Sequence, residues 1–184
     1  MEQNINGKKV AVLVTHGFEE SEFLKPIEAL KNAGANVEII SLEAGKVKGW
    51  TNKNWGNEYD VDKTVDQVDA KDYDALVLPG GVMNPDKLRM NADAVSFVTG
   101  FFDDEKPIAA ICHGPWILVE TGELKGRKVT SYPSLKTDLI NAGAEWSDEE
   151  VVVDNGLVTS RNPGDLPAFC AKMIEEIAEG VHSS

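Results

Sequence analysis

The stretch PIAAICHGP at residues 107–115 decides the fold. Its first half is a continuous apolar run, which is typical of a strand that is covered on both faces in a parallel sheet. The run leads directly into a turn that contains Cys112 and ends in Gly-Pro, and residues 116–119 have helical character. The stretch therefore predicts a junction of strand, sharp turn and helix, with Cys112 at the turn.

Similar apolar runs occur at residues 9–15 and 73–78. Between 9–15 and a further strand at 37–42, apolar residues recur at helical spacing and end at an Asn-Ala-Gly segment, which predicts an opening strand-helix-strand unit. Strands that alternate with helices indicate a mostly parallel, doubly wound sheet. The predicted fold is a flavodoxin-like three-layer α/β sandwich.

The remaining segments are less regular. Residues 43–70, with several glycines, Trp50 and Trp55, predict a hairpin or flap. Residues 86–104 predict one helix with Val95, Val98 and Phe102 on one side. Further predicted elements are strands at 128–131, 150–153 and 157–160, a short helix at 135–142, and a last helix with an apolar stripe. No repeat or linker interrupts the chain, so we expect a single domain over residues 8–178.

Composition excludes several classes of protein. The 184 residues carry a formal net charge of −13, and no run of Lys or Arg is long enough to neutralise a stretch of phosphates, so stable nucleic-acid binding is not expected. The polar N-terminus leads straight into a strand and no apolar segment could span a membrane, which predicts a cytoplasmic protein without membrane attachment. In that compartment the two cysteines, Cys112 and Cys170, are expected to remain unpaired.

Cys112 is the candidate nucleophile. A cysteine at a strand-to-helix turn has its sulfur raised out of the sheet, as in the nucleophile elbow of serine enzymes, and Gly114 would relieve crowding there. The N-terminus of the following helix is expected to favour the thiolate. The alternative role is that of a small buried apolar side chain, which we assign instead to Cys170 within the apolar stripe of the last helix.

Two other loops are expected at the same edge of the sheet, because sites of open α/β sheets lie beyond the carboxyl ends of the strands. One loop carries the acids Glu19, Glu20 and Glu22, which could simply be a solvated helix start. Helical geometry makes Glu22 the candidate for a buried, protonated carboxyl that donates a hydrogen bond to the sulfur.

The other loop is Pro79-Gly80-Gly81, which is either an ordinary turn or a close approach of the backbone to the site. In the second reading, one of its amides faces the amide of His113 and the two stabilise an oxyanion.

The histidines have weaker signals. Adjacent side chains on a turn diverge, so we do not expect the ring of His113 to contact the sulfur of Cys112 as the histidine of a catalytic triad must. His16 ends the first strand on the same edge and could line the pocket, or it could simply be solvated. His182 lies in the C-terminal tail, where we expect no role.

The segments Gly-Phe-Glu-Glu-Ser-Glu at 17–22, Leu-Pro-Gly-Gly at 78–81, Ala-Ile-Cys-His-Gly-Pro at 110–115 and Thr-Ser-Tyr-Pro at 130–133 together resemble the PfpI family. That family belongs to the DJ-one/PfpI superfamily of the class I glutamine amidotransferase-like fold. The resemblance covers roughly residues 8–178. Glutaminase chemistry is disfavoured, because no His-x-Glu pair follows residue 140.

The resemblance implies roles for individual residues. It makes Cys112 the nucleophile, Glu22 the protonated carboxyl beside it and His113 its partner. It also implies Gly81 and His113 as oxyanion donors beside Gly80, with Tyr132 at the border of the pocket.

The resemblance further implies that an acid from a neighbouring subunit contacts the histidine. Asp86 occupies that position here, where the family usually has the longer Glu. A homodimer or larger homo-oligomer is then the active form. No metal or cofactor is implied.

The resemblance also implies activities: intracellular proteolysis, cofactor-independent conversion of methylglyoxal to lactate, and removal of early glyoxal adducts from proteins and nucleotides. The leading hypothesis is a stress-protective enzyme that acts on small dicarbonyls or their adducts, with Glu22 and His113 moving protons. A PfpI-type cysteine peptidase is one alternative. A redox sensor or chaperone whose Cys112 is oxidised rather than turned over is another.

Overall fold

The computed structural model describes residues 4–180. Its strands and helices follow one another along the chain as β1 Lys9–Leu13, β2 Phe18–Glu19, α1 Glu20–Asn32, β3 Asn36–Ser41, β4 Lys46–Thr51, β5 Asn54–Asp60, β6 Lys63–Thr64, β7 Ala75–Leu78, α2 Met83–Leu88, α3 Ala92–Asp103, β8 Ile108–Ile111, α4 Leu118–Thr121, β9 Lys128–Val129, α5 Lys136–Asn141, β10 Glu145–Trp146, β11 Val152–Asp154, β12 Leu157–Ser160 and α6 Leu166–Glu179. Short 3-10 turns connect several of them, including Gly114–Ile117 directly after Cys112.

The main sheet has seven strands in the order β11-β12-β8-β7-β1-β3-β6. All neighbours are parallel except β11 and β12, which form an antiparallel edge. The strands β1, β7 and β8 are fully or almost fully buried, as their continuous apolar runs predicted. The predicted mostly parallel, doubly wound sheet is confirmed.

Helices cover both faces of this sheet. On one face α1 and α6 pack through Phe23, Leu30, Phe169 and Met173. On the other face α3 and its neighbours contribute a second apolar core that includes Phe101. The molecule therefore has the three layers of a flavodoxin-like sandwich.

The chain order reverses beside β1. From β1 the chain moves to β3 on one side, and β7 then pairs on the other side of β1. In open α/β sheets a crevice forms at such a switch point, outside the carboxyl ends of the strands. The turns that follow β1, β7 and β8 meet there, so this topology brings the three candidate loops together.

A hairpin of β4 and β5 stands beside this crevice, as residues 43–70 predicted. Its strand β4 pairs with the two-residue strand β2, with Phe18 opposite Gly49 and Glu19 opposite Trp50. The register shifts between Lys48 and Trp50, which is a bulge in the hairpin. The sequence at the start of α1 is thus tied directly to the hairpin.

Glu20 makes the second tie between α1 and the hairpin. It is buried, and its Oε1 accepts a hydrogen bond from the N–H of Asn57. Gly49 and Gly56 allow this carboxyl to lie against the two strands, because a Cβ at either position would collide with it. Glu20 is therefore a structural anchor rather than part of a solvated helix start.

The prediction of one helix over 86–104 is wrong. The structure has two helices, α2 and α3, because the chain bends before Asn91, whose side chain accepts a hydrogen bond from the N–H of Ala94 and caps α3. The side of α3 that packs on the sheet carries Phe97, Val98 and Phe101. Val95 and Phe102, which were predicted to share the buried face with Val98, are only partly buried.

None of the helices in residues 4–180 combines the length and the apolar character that a membrane span requires.

We predict that Glu20→Ala loosens the hairpin while the rest of the fold stays intact. The change removes the acceptor of the Asn57 N–H, a loss of about 1 kcal/mol of local stability, so amide hydrogens of β4 and β5 should exchange several-fold faster. Glu20→Gln keeps an acceptor oxygen and should restore most of the protection. Glu28→Ala, an exposed position on the same helix, is the control, and equal exchange in it and Glu20→Ala would contradict the assignment.

Candidate active site

Cys112 occupies a strained turn at the end of β8. Its φ of 63° lies in the left-handed region, which costs a non-glycine residue energy and persists only where the surroundings enforce it. Here the N–H of Cys112 donates to the carbonyl of Ser160 at 3.0 Å, and its carbonyl accepts from the N–H of Tyr132 at 2.9 Å. Gly114 follows against the Leu78 carbonyl, where a Cβ would not fit. The turn that the sequence predicted is thus held from two sides.

The side chain of Cys112 faces a cavity of about 490 Å³ at the switch point. Cys112 is only 8% exposed, so its side chain faces the cavity and not open solvent. The cavity is lined by residues of all three candidate loops, the hairpin and the C-terminal part: Gly17, Glu19, Glu22, Trp50, Gly81, Val82, Met83, Cys112, His113, Tyr132 and Pro163. Through Trp50, the hairpin forms part of the cavity wall.

Glu22 lies on the first turn of α1 and is completely buried. Its Oε1 accepts a hydrogen bond from the N–H of Gly80 at 3.0 Å, whereas its Oε2 has no hydrogen-bond partner within the described chain. Burial raises the pKa of Glu22 to about 8, and the neighbouring carboxylate of Glu19 adds to the effect. The carboxyl is therefore mostly protonated at neutral pH.

The expected lowering of the pKa of Cys112 is not confirmed. Burial raises the pKa of the thiol, and the Glu22 carboxylate raises it further, while the amides of His113 and Gly81 act in the opposite direction. The helix expected after Cys112 is only the 3-10 turn Gly114–Ile117 followed by one α-helical turn, so little helix dipole is available. When Glu22 is protonated, its negative charge no longer raises the pKa of Cys112, so the protonation of each group depends on that of the other.

The ring of His113 does reach the sulfur, contrary to the expectation that adjacent side chains diverge. Its Nδ1 lies 3.3 Å from Sγ of Cys112, and its Nε2 lies 3.1 Å from Oγ of Ser134. The left-handed conformation of Cys112 changes the direction of the chain at this point, so both side chains face the same cavity. Burial lowers the pKa of His113 and favours the neutral ring.

The two glycines after β7 have different roles. The amide of Gly81 lies close enough to Cys112 and Glu22 to lower the pKa of both groups. Gly80 instead donates its N–H to Glu22, and a Cβ there would collide with Glu22 and Cys112. The geometry is compatible with Gly81 and His113 as oxyanion donors, whereas the Gly80 amide is already used.

The remaining predicted residues differ in their position relative to the cavity. Tyr132 stacks on the His113 ring, with centroids 4.7 Å apart and 24° between the planes, and it is 42% exposed at the cavity. His16 lies outside the residues that line the cavity, and its Nδ1 accepts a hydrogen bond from the N–H of Lys48 on the hairpin. Asp86 is exposed on α2. His182 lies outside the described residues.

Residues 8–176 match the DJ-1/PfpI family. The chain belongs to the DJ-1/PfpI family. The resemblance that the sequence motifs indicated is thereby confirmed.

Relatives carry different functional names. YraA of Bacillus subtilis, whose name provisionally assigns it to the cysteine proteases, is 49% identical over 88% of this chain and 94% of its own length. Deglycase PH1704 of Pyrococcus horikoshii is 46% identical over 91% of this chain and 98% of its own length. The crystal structure of Drosophila melanogaster DJ-1beta superimposes with a TM-score of 0.84 at 32% identity, covering 94% of this chain and 91% of the other.

Sequence reasoning missed a residue that holds the site of this DJ-1/PfpI protein together. Asn84 is completely buried, donates from Nδ2 to the carbonyls of Pro79 and Gly80 at 3.0 Å each, and accepts from the N–H of Thr15 at 2.8 Å. It therefore joins the turn after β7 to the end of β1. The only signal was a polar residue three positions after a glycine pair, which is too common to single out.

Met83 and Pro163 were also not assigned to the cavity, and Ser134 was not predicted to contact His113. The sequence left open whether the segment with Trp50 borders the pocket or forms an interface, and the structure places Trp50 in the cavity lining. These residues come from segments that are distant in the chain, and only the assembled fold brings them to one place. In residues 4–180, no three His, Cys, Asp or Glu side chains are grouped so that they could hold a metal ion.

We predict that Glu22 makes the protein less stable as the pH rises from about 5 to 8. The unfolded chain releases this proton near its ordinary pKa of 4.5, whereas the folded protein keeps it until about pH 8. Folding therefore binds one proton in this window, and the free energy of unfolding falls by up to about 1.4 kcal/mol per pH unit from this group.

Urea unfolding at several pH values checks this prediction by comparison of wild type with Glu22→Gln. The variant should lose this part of the slope, whereas Glu43→Gln, at an exposed position before β4, should keep it. Parallel pH profiles for wild type and Glu22→Gln would show that Glu22 is ionised in the folded protein.

Proposed function

We propose that the chain is a stress-protective, cysteine-dependent enzyme that converts reactive dicarbonyls, such as methylglyoxal, or removes their early adducts from other molecules. One observation carries this proposal. The sulfur of Cys112 lies 3.3 Å from Nδ1 of His113 and faces the buried, mostly protonated Glu22 in the same cavity. A nucleophile flanked by two groups that exchange protons is suited to carbonyl chemistry.

The first step is attack of the sulfur on the aldehyde carbon of methylglyoxal. A carbon–sulfur bond forms, the thiol proton moves to the neutral His113, and the carbonyl oxygen becomes an oxyanion that takes up that proton. The amides of Gly81 and His113 face the sulfur and would stabilise the oxyanion. Because the pKa of Cys112 is raised, this step needs the ring as a general base rather than a preformed thiolate.

The second step is internal to the bound substrate. Neutral His113 removes the proton on the former aldehyde carbon and returns it to the ketone carbon, while protonated Glu22 gives its proton to the ketone oxygen and recovers one from the hydroxyl, so one carbon is oxidised as the other is reduced. The product is a lactate thioester on Cys112, which water hydrolyses to lactate and the free thiol. No external oxidant or reductant is consumed.

An early adduct can enter the same sequence. In a hemiaminal of methylglyoxal, the amine nitrogen and a hydroxyl share one carbon. Displacement of the amine by the sulfur forms the same thiol adduct, and the amine leaves with the proton that the thiol loses. The deglycase name of the Pyrococcus horikoshii relative supports this extension.

We further propose that Asp86 acts across a subunit interface of a homo-oligomer, as the family resemblance implies. Nε2 of His113 contacts Ser134 in its own chain, and Asp86 is exposed on α2. Val82 and Met90, which flank α2, are also exposed, at 56% and 82%. An exposed acid beside exposed apolar side chains supports an interface at α2.

We predict that Cys112→Ala abolishes lactate formation from methylglyoxal, measured with purified protein in the absence of glutathione and added metal. The loss should be at least about a thousandfold, because Cys112 is the only thiol among the described residues that line the cavity. Cys170→Ala is the matched control, since that thiol is half-buried on α6 and should leave turnover unchanged. Full turnover by Cys112→Ala would refute the proposal.

A cysteine peptidase is the second candidate, because the name of the Bacillus subtilis relative favours it. The same sulfur and histidine could attack a peptide carbonyl. A peptide would have to enter a cavity of about 490 Å³ that Trp50 lines. A redox sensor is supported less well, since burial raises the pKa of Cys112 rather than lowering it.

We predict that unfolded casein is not cleaved by the wild-type protein at concentrations that give full turnover of methylglyoxal. The measurement is the appearance of new peptides by mass spectrometry, with Cys112→Ala as the background control. Cleavage that requires Cys112 would instead favour the peptidase, whatever the outcome with methylglyoxal.

A further inference from the structure

The peptide bond between Gly80 and Gly81 presents two different groups, of which one serves the site. Its N–H belongs to Gly81 and lies close enough to Cys112 and Glu22 to lower the pKa of both groups. Its carbonyl belongs to Gly80, and in a trans peptide the carbonyl and the N–H point in opposite directions. The orientation of this one peptide therefore decides whether a hydrogen-bond donor or an acceptor faces the sulfur.

The two glycines allow a close approach of the backbone, but they also leave this peptide free to rotate. A Cβ at Gly80 would collide with Glu22 and Cys112, and a Cβ at Gly81 would collide with the Gly17 carbonyl. Glycine adopts positive φ, here 78° at Gly81, about as readily as negative φ. Turns of type I and type II differ by about a half rotation of the central peptide, so a glycine pair can adopt both orientations. A contact from outside the pair has to fix the peptide.

Asn84 supplies that contact. It lies on the first turn of α2, and helical side chains tilt toward the N-terminus, so its amide reaches the turn that precedes the helix. Its Nδ2 donates to the carbonyls of Pro79 and Gly80 at 3.0 Å each, and its Oδ1 accepts from the N–H of Thr15 at 2.8 Å. These partners determine which end of the amide is the nitrogen, because the carbonyls can only accept and the N–H can only donate.

The two carbonyls that Asn84 binds belong to the two peptides whose N–H groups face the site. The Pro79 carbonyl shares its peptide with the Gly80 N–H, which donates to Oε1 of Glu22 at 3.0 Å. The Gly80 carbonyl shares its peptide with the Gly81 N–H. A half rotation of either peptide would break its hydrogen bond to Asn84, which is completely buried and would be left with an unsatisfied donor. One side chain thus holds both donors in place.

We propose that Asn84 is a positioning residue for the oxyanion site, which holds the peptide between Gly80 and Gly81 with its N–H toward Cys112. This inference rests on the proposed function, and it assigns a role to a residue outside the cavity lining. In the rotated peptide, the Gly80 carbonyl would replace the donor and repel a developing oxyanion. The N–H of Glu19 also donates to this carbonyl, but at the longer distance of 3.4 Å.

NMR measures the orientation of the peptide without any requirement for turnover. Wild type is compared with Asn84→Leu, which keeps the number and branching of the side-chain atoms and removes all three hydrogen bonds. In wild type, the Gly81 amide signal should follow the titration of Glu22 near pH 8. In the variant this response should fall several-fold. The carboxyl signal of Glu22 should then titrate at a pH about one unit higher, because the Gly80 donor is no longer held.

Kinetics separate positioning from a general loss of stability. Asn84→Leu and Asn84→Ala should lower kcat for lactate formation by about tenfold to a hundredfold and change KM less than about twofold, because an oxyanion donor acts on charge that develops in the transition state. Asn91→Ala is the matched control, since it removes an asparagine that binds one backbone N–H outside the cavity. It should lower the melting temperature but leave kcat and the Glu22 titration unchanged.

A measurement on wild type tests the inference even where the Asn84 variants fail to fold. Both Nδ2 protons of Asn84 donate to backbone carbonyls, so they should exchange with solvent at least about tenfold more slowly than those of the exposed Asn155. The Gly81 amide should also give one signal, without exchange on the millisecond timescale.

Rapid exchange of the Asn84 protons in wild type would overturn the inference. A folded Asn84→Leu protein whose Gly81 signal and Glu22 titration match wild type would also overturn it, as would equal losses of kcat in Asn84→Ala and Asn91→Ala. These outcomes are distinct from failure of the proposed function. If wild type forms no lactate from methylglyoxal, the NMR comparison still decides whether Asn84 holds the peptide.

Discussion

The left-handed turn at Cys112 is the constraint on which the site depends. A non-glycine residue in this region costs about 1–2 kcal/mol, and the surrounding structure has to supply that energy. The hydrogen bonds to Ser160 and Tyr132 hold the turn, and they come from β12 and from the segment after β9. Because the chain changes direction there, the sulfur and the ring of His113 face one cavity. A relaxed backbone at this residue would not be expected to keep the two groups 3.3 Å apart.

Close approach of backbone segments around this turn creates the environment of Glu22. Gly80 and Gly114 have no Cβ at points where one would strike Glu22, Cys112 or the Leu78 carbonyl. The turn after β7 can therefore approach the carboxyl closely enough for the Gly80 N–H to bind it, and Asn84 holds that turn through hydrogen bonds to the carbonyls of Pro79 and Gly80. Burial then raises the pKa of the carboxyl. The chemistry of one acid is thus a consequence of packing by residues that have no reactive group.

The sequence predicted what depends on local pattern. Buried parallel strands have continuous apolar runs, and the strand order places the turns that follow them together. The sequence could therefore predict the region of the site and point to Cys112 and Glu22 as candidate residues. The contact between the ring of His113 and the sulfur of Cys112 could not be predicted, because it depends on the φ value of Cys112. The direction of the pKa of Cys112 depends on burial and on the Glu22 charge, and neither is visible in a motif. The break between α2 and α3 depends on the side chain of Asn91, which caps α3. The apolar pattern of the sequence continues through this position and therefore did not indicate the break.

The three acids at the start of α1 show how one short segment places three carboxyl groups in three different surroundings. Glu19 still belongs to β2, and successive residues of the helix that follows are rotated by about 100°, so the three acids face different surroundings. Glu19 ends β2 and faces the cavity beside Trp50, Glu20 turns to the hairpin and binds Asn57, and Glu22 turns inward to Gly80. A charged cluster would ordinarily be solvated, and here each member is removed from solvent to a different degree. The hairpin that Glu20 anchors carries Trp50, so a structural acid also positions one wall of the cavity that the other two acids line.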